Sequence, residues 1–388
     1  MNTPNPARKL KDLVQNNSGL LYVSIGFGAN TILGGLFWFY VASIIEVDSY
    51  GLVSYWIASS QIITTLGVFG LGVTLTTYVA KGIKEIIPQV RTATLISSAI
   101  FGVATHLIYR DLSLDFVVIG TMFYTIATSE LLGMKRYREF GIVNASQKIL
   151  QIGISIMLIP GLGIEGILIG FAASYMITSY RFYSMFKSLS FHFHLLLERK
   201  QFIMSSFGQE VIRISSLALD KVFIGAIFGY TILGTYSLAI QILLVLATVP
   251  NIMFAYLLPH DASGNAKKKL KLFGIAVSSF LAIIMALFGP LMLEKLFPKF
   301  VNTPEIIRIV SFAIIPMTLS SVISSMILGK EKAQLMIASA IVLLASQFSL
   351  LFILGKMFSF MGIAIALLLA YCIEAATQLV LYKKFIRN

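Results

Sequence analysis

Charge and cysteine are scarce in this sequence, and each shortage excludes a class of protein. Charged residues fill 12% of 388 positions, whereas a soluble globular domain carries about 25%. No polar stretch is long enough to fold alone in water. The lone cysteine, Cys372, rules out an internal disulfide and a metal site built on cysteine pairs. Histidine is also rare, with four in the chain; His192 and His194 read as a solvated turn, and His106 as a packing group near the end of an apolar segment. Acids are outnumbered, 17 against 30 Lys and Arg. The resulting +13 does not describe a nucleic-acid surface, because the cations lie scattered through short connections instead of gathering on one face. Missing too are GxxxxGK[ST], HExxH and GxSxG, so no ATP motor, zinc protease or esterase site is visible. The reading is of a non-enzymatic chain without cofactor, metal or nucleic-acid partner.

What the sequence has in abundance is apolar length. Hydrophobic residues make up 57% of the chain, mean hydropathy is +0.87, and runs of roughly 20 apolar residues recur from Ser18 to the end. Bounded by charge, Pro or Gly, they predict twelve spans: about 18–42, 50–79, 90–109, 114–134, 141–160, 163–186, 202–228, 231–258, 270–292, 305–328, 333–355 and 360–382. The first, preceded by Arg8, Lys9 and Lys11, is too long for a signal-peptide core and reads as an uncleaved span. With the N-terminus inside, most cations fall on the cytoplasmic side, among them Lys81, Lys84, Lys135, Arg136, Lys267–Lys269 and Lys383. The positive-inside rule then puts both termini in the cytoplasm.

The halves resemble each other. Tyr50-Gly51-Leu52-Val53-Ser54 aligns with Leu233-Gly234-Thr235-Tyr236-Ser237, and Gly166-Ile167 with Gly362-Ile363, at displacements near half the chain. The expected fold is therefore all-α and integral to the membrane: about twelve transmembrane helices in two pseudo-symmetric six-helix bundles, residues 1–186 and 202–388, around a central cleft. Residues 187–201 form the cytoplasmic linker, partly an amphipathic helix.

Charge at membrane depth costs roughly 2.5–3.5 kcal/mol per residue on insertion scales, so each such group needs a partner or a wet cavity. On the seventh span Glu210, Arg213, Asp220 and Lys221 fall within about a 100° arc at ideal helical spacing. Two readings stand. Arg213 and Lys221 are aimed at an anionic head group, a planar fork and a point charge respectively, or Glu210 neutralises Arg213 while Asp220 and Lys221 bind neighbouring helices. The fifth span repeats the pattern with Asn144, Gln147, Lys148, Gln151 and Ser155 on one face, suited to sugar hydroxyls and phosphate or to helix–helix hydrogen bonds. Asn30, Gln61, Thr64, Tyr236, Gln241, Glu374 and Gln378 are weaker cavity candidates, for which packing is the simpler account.

Several segments resemble the multidrug/oligosaccharidyl-lipid/polysaccharide flippase superfamily, and within it the Wzx-type polysaccharide flippases. They are Glu46-Val47-Asp48-Ser49-Tyr50-Gly51-Leu52, Leu66-Gly67-Val68-Phe69-Gly70-Leu71-Gly72, Asp220-Lys221-Val222-Phe223-Ile224-Gly225, Leu233 to Ala239, and Leu328-Gly329-Lys330-Glu331-Lys332. The resemblance implies alternating-access movement of an undecaprenyl-pyrophosphate-linked O-antigen or similar repeat unit across the bacterial inner membrane, among lipids and other polysaccharide assembly proteins. A multidrug exporter of the same superfamily is the alternative, although such a reading prefers a carboxylate on the first span and Ser18 to Ala42 holds none. A membrane-embedded polymerase would need a long external loop, and none is present.

Overall fold

A computed structural model describes residues 18–175, 189–263, 267–330 and 332–387, with side chains described from Thr31 onward except at positions 216, 217, 259, 262, 333 and 387. The described residues are helical throughout apart from short connections, and none forms a strand. Lipid dictates this, because a backbone without water must satisfy its N–H and C=O groups internally. The helices are α1 (Ser18–Ile44), α2 (Val47–Val68), α3 (Leu71–Ala80), α4 (Ile86–Tyr109), α5 (Leu112–Gly133), α6 (Tyr137–Leu162) and α7 (Ile164–Ser174). After a short α8 (His194–Glu198) come α9 (Lys200–Ile214), a π-helical turn Ser215–Leu219, α10 (Asp220–Phe228), α11 (Tyr230–Leu246) and α12 (Thr248–Ala262). The chain continues through α13 (Lys268–Leu296), α14 (Thr303–Val310), α15 (Ile314–Leu328) and α16 (Ala333–Tyr382).

Among the described residues, 7 helical stretches are long and apolar enough to cross a bilayer, and 8 if the bent pair α2–α3 is one span. The sequence expects more for identifiable reasons. The described apolar part of the first segment is short, Thr31–Ile44, and the sixth is described only through Tyr175. The seventh is charged and interrupted by the π turn. The eleventh and twelfth run together as α16, whose continuity breaks at Ser359, with φ 51 and ψ −130.

That break is a fold-back. A Cβ on Gly362 would overlap the Leu354 carbonyl oxygen, an approach impossible eight residues apart along a straight helix. Gly163, between α6 and α7, has nearly the same backbone, φ 58 and ψ −131, and a Cβ on Gly166 would press on Leu158 in the same way. One displacement carries Leu158, Gly163 and Gly166 onto Leu354, Ser359 and Gly362, so the two hairpins are structural copies.

The chain forms two compact units, Met1–Phe37 with Ser59–Ile214, and Trp38–Ala58 with Ser215–Asn388. In the first, Leu75, Ile86, Val90, Val118, Met122 and Ile126 build the core where α3, α4 and α5 meet. Its α2–α3 pair bends by 52° at Phe69 and Gly70, both at positive φ. Phe69 stacks on Phe207 at 4.2 Å, and a Cβ on Gly70 would meet the α9 backbone at Ile203 and Phe207. In the second unit, Leu246, Ala282 and Ile314 pack α11, α13 and α15 together. Large apolar side chains such as Ile100, Val103, Leu107, Leu287 and Phe288 are more than half exposed, a surface suited to acyl chains.

Candidate functional site: polar groups at membrane depth

In the first unit the polar face of α6 is set by how closely α7 approaches. Gly170 makes that approach possible, since a Cβ there would overlap Ser155 Oγ and the Gln151 carbonyl. The stripe is buried and mostly spoken for. The Tyr124 hydroxyl donates to Asn144 Oδ1 at 2.9 Å, and Asn144 Nδ2 donates to the Phe140 carbonyl. Gln147 Nε2 donates to Ser174 Oγ at 2.8 Å, and Ser155 Oγ to the Ile167 carbonyl at 3.4 Å. Lys148 and Gln151 differ from these. The half-buried Lys148 ammonium donates to Gln151 Oε1 at 2.7 Å and lies 5.7 Å from the Phe171 ring centroid, within cation–π range. No carboxylate is within ion-pair distance of it among the described residues. Gln151 is 1% exposed, yet its Nε2 has no hydrogen-bond partner. An unopposed cation and an unmet amide donor therefore sit side by side, a pair able to hold an anion or a hydroxyl.

Arg213 and Glu210 are placed differently. Arg213 Nε and Nη2 both donate to Glu210 Oε2, at 3.1 and 2.6 Å, and the Arg213 side chain is 57% exposed. The buried pair of this unit is Arg91 with Glu130, joined at 3.2 and 2.8 Å. In the sequence Arg91 stands at the edge of an apolar run, as a loop cation would, and Glu130 lies within one. The signal was the acid itself, which at membrane depth demands a cation. His106 also has an acid, Asp115 Oδ2 at 2.7 Å. His192 and His194 lie with Glu85 and Gln89 around an open cleft of about 790 Å³, and the described residues contain no cluster fit for a metal ion. Asn30 falls in α1, and its side chain is outside the described residues.

The arc joining Arg213 to Asp220 and Lys221 assumes a constant 100° step. The π turn Ser215–Leu219 removes that step, because a π turn spreads its residues over a wider circumference than an α turn. In the second unit Asp220 is 5% exposed and satisfied on both oxygens, by the Tyr236 hydroxyl at 2.5 Å and the Lys221 backbone N–H at 2.7 Å. Lys221 and Gln241 are half-buried.

Two residues ranked low from sequence line a polar cleft of about 340 Å³ in this unit, Glu374 and Gln378. Gln378 is buried, accepts from Ser324 Oγ at 3.2 Å and donates to Glu374 Oε1 at 3.2 Å. Asn251, Ser320, Ser321 and Tyr371 complete the polar lining, which contains no Lys, Arg or His. Ser320 is 7% exposed and its hydroxyl has no partner. The cleft therefore offers one carboxylate among hydroxyls and amides.

No protein-family model matches the sequence, and neither does any curated protein. Solved structures do. Over 94% of this chain and 88% of the other, the fold superposes on lipid II flippase MurJ in an inward closed conformation, with TM-score 0.73 and 14% identity. An inward-facing multidrug resistance MATE family transporter of the MOP superfamily matches with TM-score 0.63 and 14% identity over 95% and 99% of the two chains. A MOP superfamily transporter from Pyrococcus furiosus, described as having a binding pocket of reversed polarity, matches with TM-score 0.54 and 15% identity over 94% and 93%. The chain thus has the multi-pass helical fold of these membrane transporters.

Proposed function

We propose that this chain is a flippase for a lipid-linked anionic glycan, of the kind in which an O-antigen or similar repeat unit rides on undecaprenyl pyrophosphate. Residues 1–186 and 202–388 act as the two halves, with both termini in the cytoplasm of a bacterium, and the cargo passes from the inner to the outer leaflet of the inner membrane by alternating access. The transporter fold, shared with a lipid II flippase, supports the reaction class. The single observation that carries the cargo class is the Lys148 ammonium, which lacks a carboxylate partner and lies beside the unmet Gln151 amide. An anionic head group supplies what both lack. Asn144 and Gln147 hold the α6 face beside that pair, and Arg213, Lys221, Gln241, Glu210 and Asp220 are further candidates for contact with the cargo.

The physical need for such a passage is large. An unpaired hydroxyl in hydrocarbon costs about 2–7 kcal/mol, so several sugars crossing bare lipid face tens of kcal/mol. A polar passage removes most of that barrier while the isoprenoid tail stays in the bilayer. Outward movement of negative charge is downhill in a cell with a negative interior, by about 2.3 kcal/mol per charge per 100 mV.

The test is transport of a lipid-linked oligosaccharide by the purified protein in vesicles, read by leaflet-specific accessibility. Lys148→Ala is expected to abolish it and Lys148→Arg to retain most of it. Transport by Lys148→Ala at the unaltered rate would refute the assignment. A second reading, export of cationic drugs, is favoured by the cleft around Glu374, which is free of cationic side chains. Efflux of a cationic dye that disappears in Glu374→Gln would select it.

A further inference from the structure

In the first compact unit the segment around α8 is bonded to α4 where that helix begins. The Ser190 N–H donates to Thr92 Oγ1 at 2.9 Å, and the Leu195 N–H donates to Gln89 Oε1 at 3.1 Å. Both acceptors are buried, and Leu196 and Ile203 complete the core where α3, α4 and α5 meet. Residues 190–199 therefore form a fixed ledge against the first turns of α4, a helix long and apolar enough to cross a bilayer. A ledge at the end of a spanning helix lies at a membrane surface. The topology expected from the cation distribution makes that surface cytoplasmic.

Two kinds of side chain on the ledge lack what they need. Phe191 and Leu197, 70% and 67% exposed, turn hydrocarbon outward at the open cleft that also takes in Glu85, Gln89, His192 and His194. The other kind is cationic. Tyr78, near the end of α3, has the Lys81 ammonium 5.3 Å and the Arg199 guanidinium 4.8 Å from its ring centroid, both within cation–π range. Arg199 Nη1 donates to the Leu195 carbonyl at 3.0 Å and to Glu198 Oε2 at 2.9 Å. Its Nε is buried without a partner, and Nη2 meets no acceptor among the described residues. Lys81 likewise has no carboxylate within ion-pair distance among them. With exposed Lys84 and Lys200, four cations stand against two acids, Glu85 and Glu198. Glu198 is itself 62% exposed, where a carboxylate offsets little.

A soluble anion would answer the charge and leave Phe191 and Leu197 in water. An apolar protein face would cover those two and leave the cations unmatched. The boundary between anionic head groups and acyl chains answers both. We propose that this ledge is a binding site for an anionic phospholipid of the cytoplasmic leaflet. Lys81 and Arg199 take the head-group phosphate, Arg199 through the guanidinium edge that lacks an acceptor, while Phe191 and Leu197 enter the acyl boundary. The site does not depend on the cargo, and its test reads lipid instead of transport.

The full chain in detergent is titrated with phosphatidylglycerol or phosphatidylcholine, and retained lipid is counted by native mass spectrometry. Preferential retention of phosphatidylglycerol is expected; equal retention of the two would overturn the proposal. A cation near an anionic lipid surface contributes about 5-fold in affinity, so Lys81→Gln and Arg199→Gln should each weaken retention about 5-fold and together about 25-fold. Lys268→Gln combined with Lys269→Gln, exposed cations of the second unit, removes the same charge and should leave retention unchanged. An equal loss there would mean diffuse attraction and no site. Excess inorganic phosphate should displace none of the lipid; displacement by it, or by lipid-linked oligosaccharide at equal concentration, would give the ledge to a different ligand and refute the assignment. Phe191→Trp keeps every charge and backbone bond of the ledge, so it decides the matter even if the charge variants fail to fold. Its added fluorescence, above that of Trp38 and Trp56, should be quenched by phosphatidylglycerol brominated along the acyl chains. Equal emission in brominated and ordinary lipid would rule out the anchoring.

Discussion

Replacing Asp261 with Asn isolates one buried ionic contact in the second unit. The Lys271 ammonium is 2.7 Å from Asp261 Oδ1, the side chains are 10% and 5% exposed, and Ser325 Oγ donates to the other oxygen at 2.7 Å. The node ties the end of α12, the start of α13 and the end of α15. Each charge stands at the helix end that disfavours it, an acid near the C-terminus of α12 and a cation in the first turns of α13, so neither is explained by its own helix. Removing the carboxylate strands a buried ammonium, at about 3–5 kcal/mol. Relief of the acid's unfavourable end position returns about 0.3–1 kcal/mol, and Asn retains shape and the Ser325 acceptor. The expected net loss is therefore about 2–5 kcal/mol. Reversible unfolding of the detergent-solubilised protein, followed by fluorescence of Trp38 and Trp56, measures it. The double variant Asp261→Asn/Lys271→Met should recover most of the loss, since a stranded charge costs more than an absent pair. A single variant within 1 kcal/mol of the parent, or a double variant no better than the single, would refute the reasoning.

Other substitutions separate tight contacts from loose ones. Gly170→Ala should lower stability by about 1–3 kcal/mol, because the methyl overlaps Ser155 Oγ and the Gln151 carbonyl, and Gly208→Ala, with nothing near it, should cost nothing in the same unfolding assay. Ser320→Ala removes a buried hydroxyl that has no partner and is expected to be neutral or stabilising in thermal unfolding. A double-mutant cycle on Glu210 and Arg213 should return a coupling below about 1 kcal/mol, because the pair is largely exposed.

The helical, membrane-spanning character was legible in composition and in the recurrence of apolar runs, both averages over many residues. The polar face of α6 was legible for a similar reason: Asn144, Gln147, Lys148 and Gln151 share a side by helical spacing alone. What the residues on that face bond to was not legible, because Ser174, Tyr124 and Ile167 reach it through tertiary packing. The π turn at Ser215–Leu219 carries no local signature, so an arc drawn at constant pitch across it fails. Arg91 stands at the edge of an apolar run and reads as a loop cation until Glu130 is found opposite it. Glu374 reads as a packing residue because the cleft around it is assembled from α12, α15 and both arms of α16. The repeated glycines were visible as a match between halves, while the close approach of Gly51 to the Tyr230 carbonyl oxygen and of Gly234 to that of Val47 needed coordinates.

The two copied hairpins have a mechanical consequence. With Gly166 and Gly362 seated on carbonyl groups of the preceding helix, each hairpin is a stiff strut that tilts as one piece, since bending it would drive backbone into backbone. Backbone slack is left to the joints: the kink at Phe69 and Gly70, the wide turn at Ser215–Leu219 where one compact unit ends and the other begins, and the interruption at Ala247 between α11 and α12. The fold thus keeps its tightest backbone contacts inside the hairpins and its irregular backbone between them.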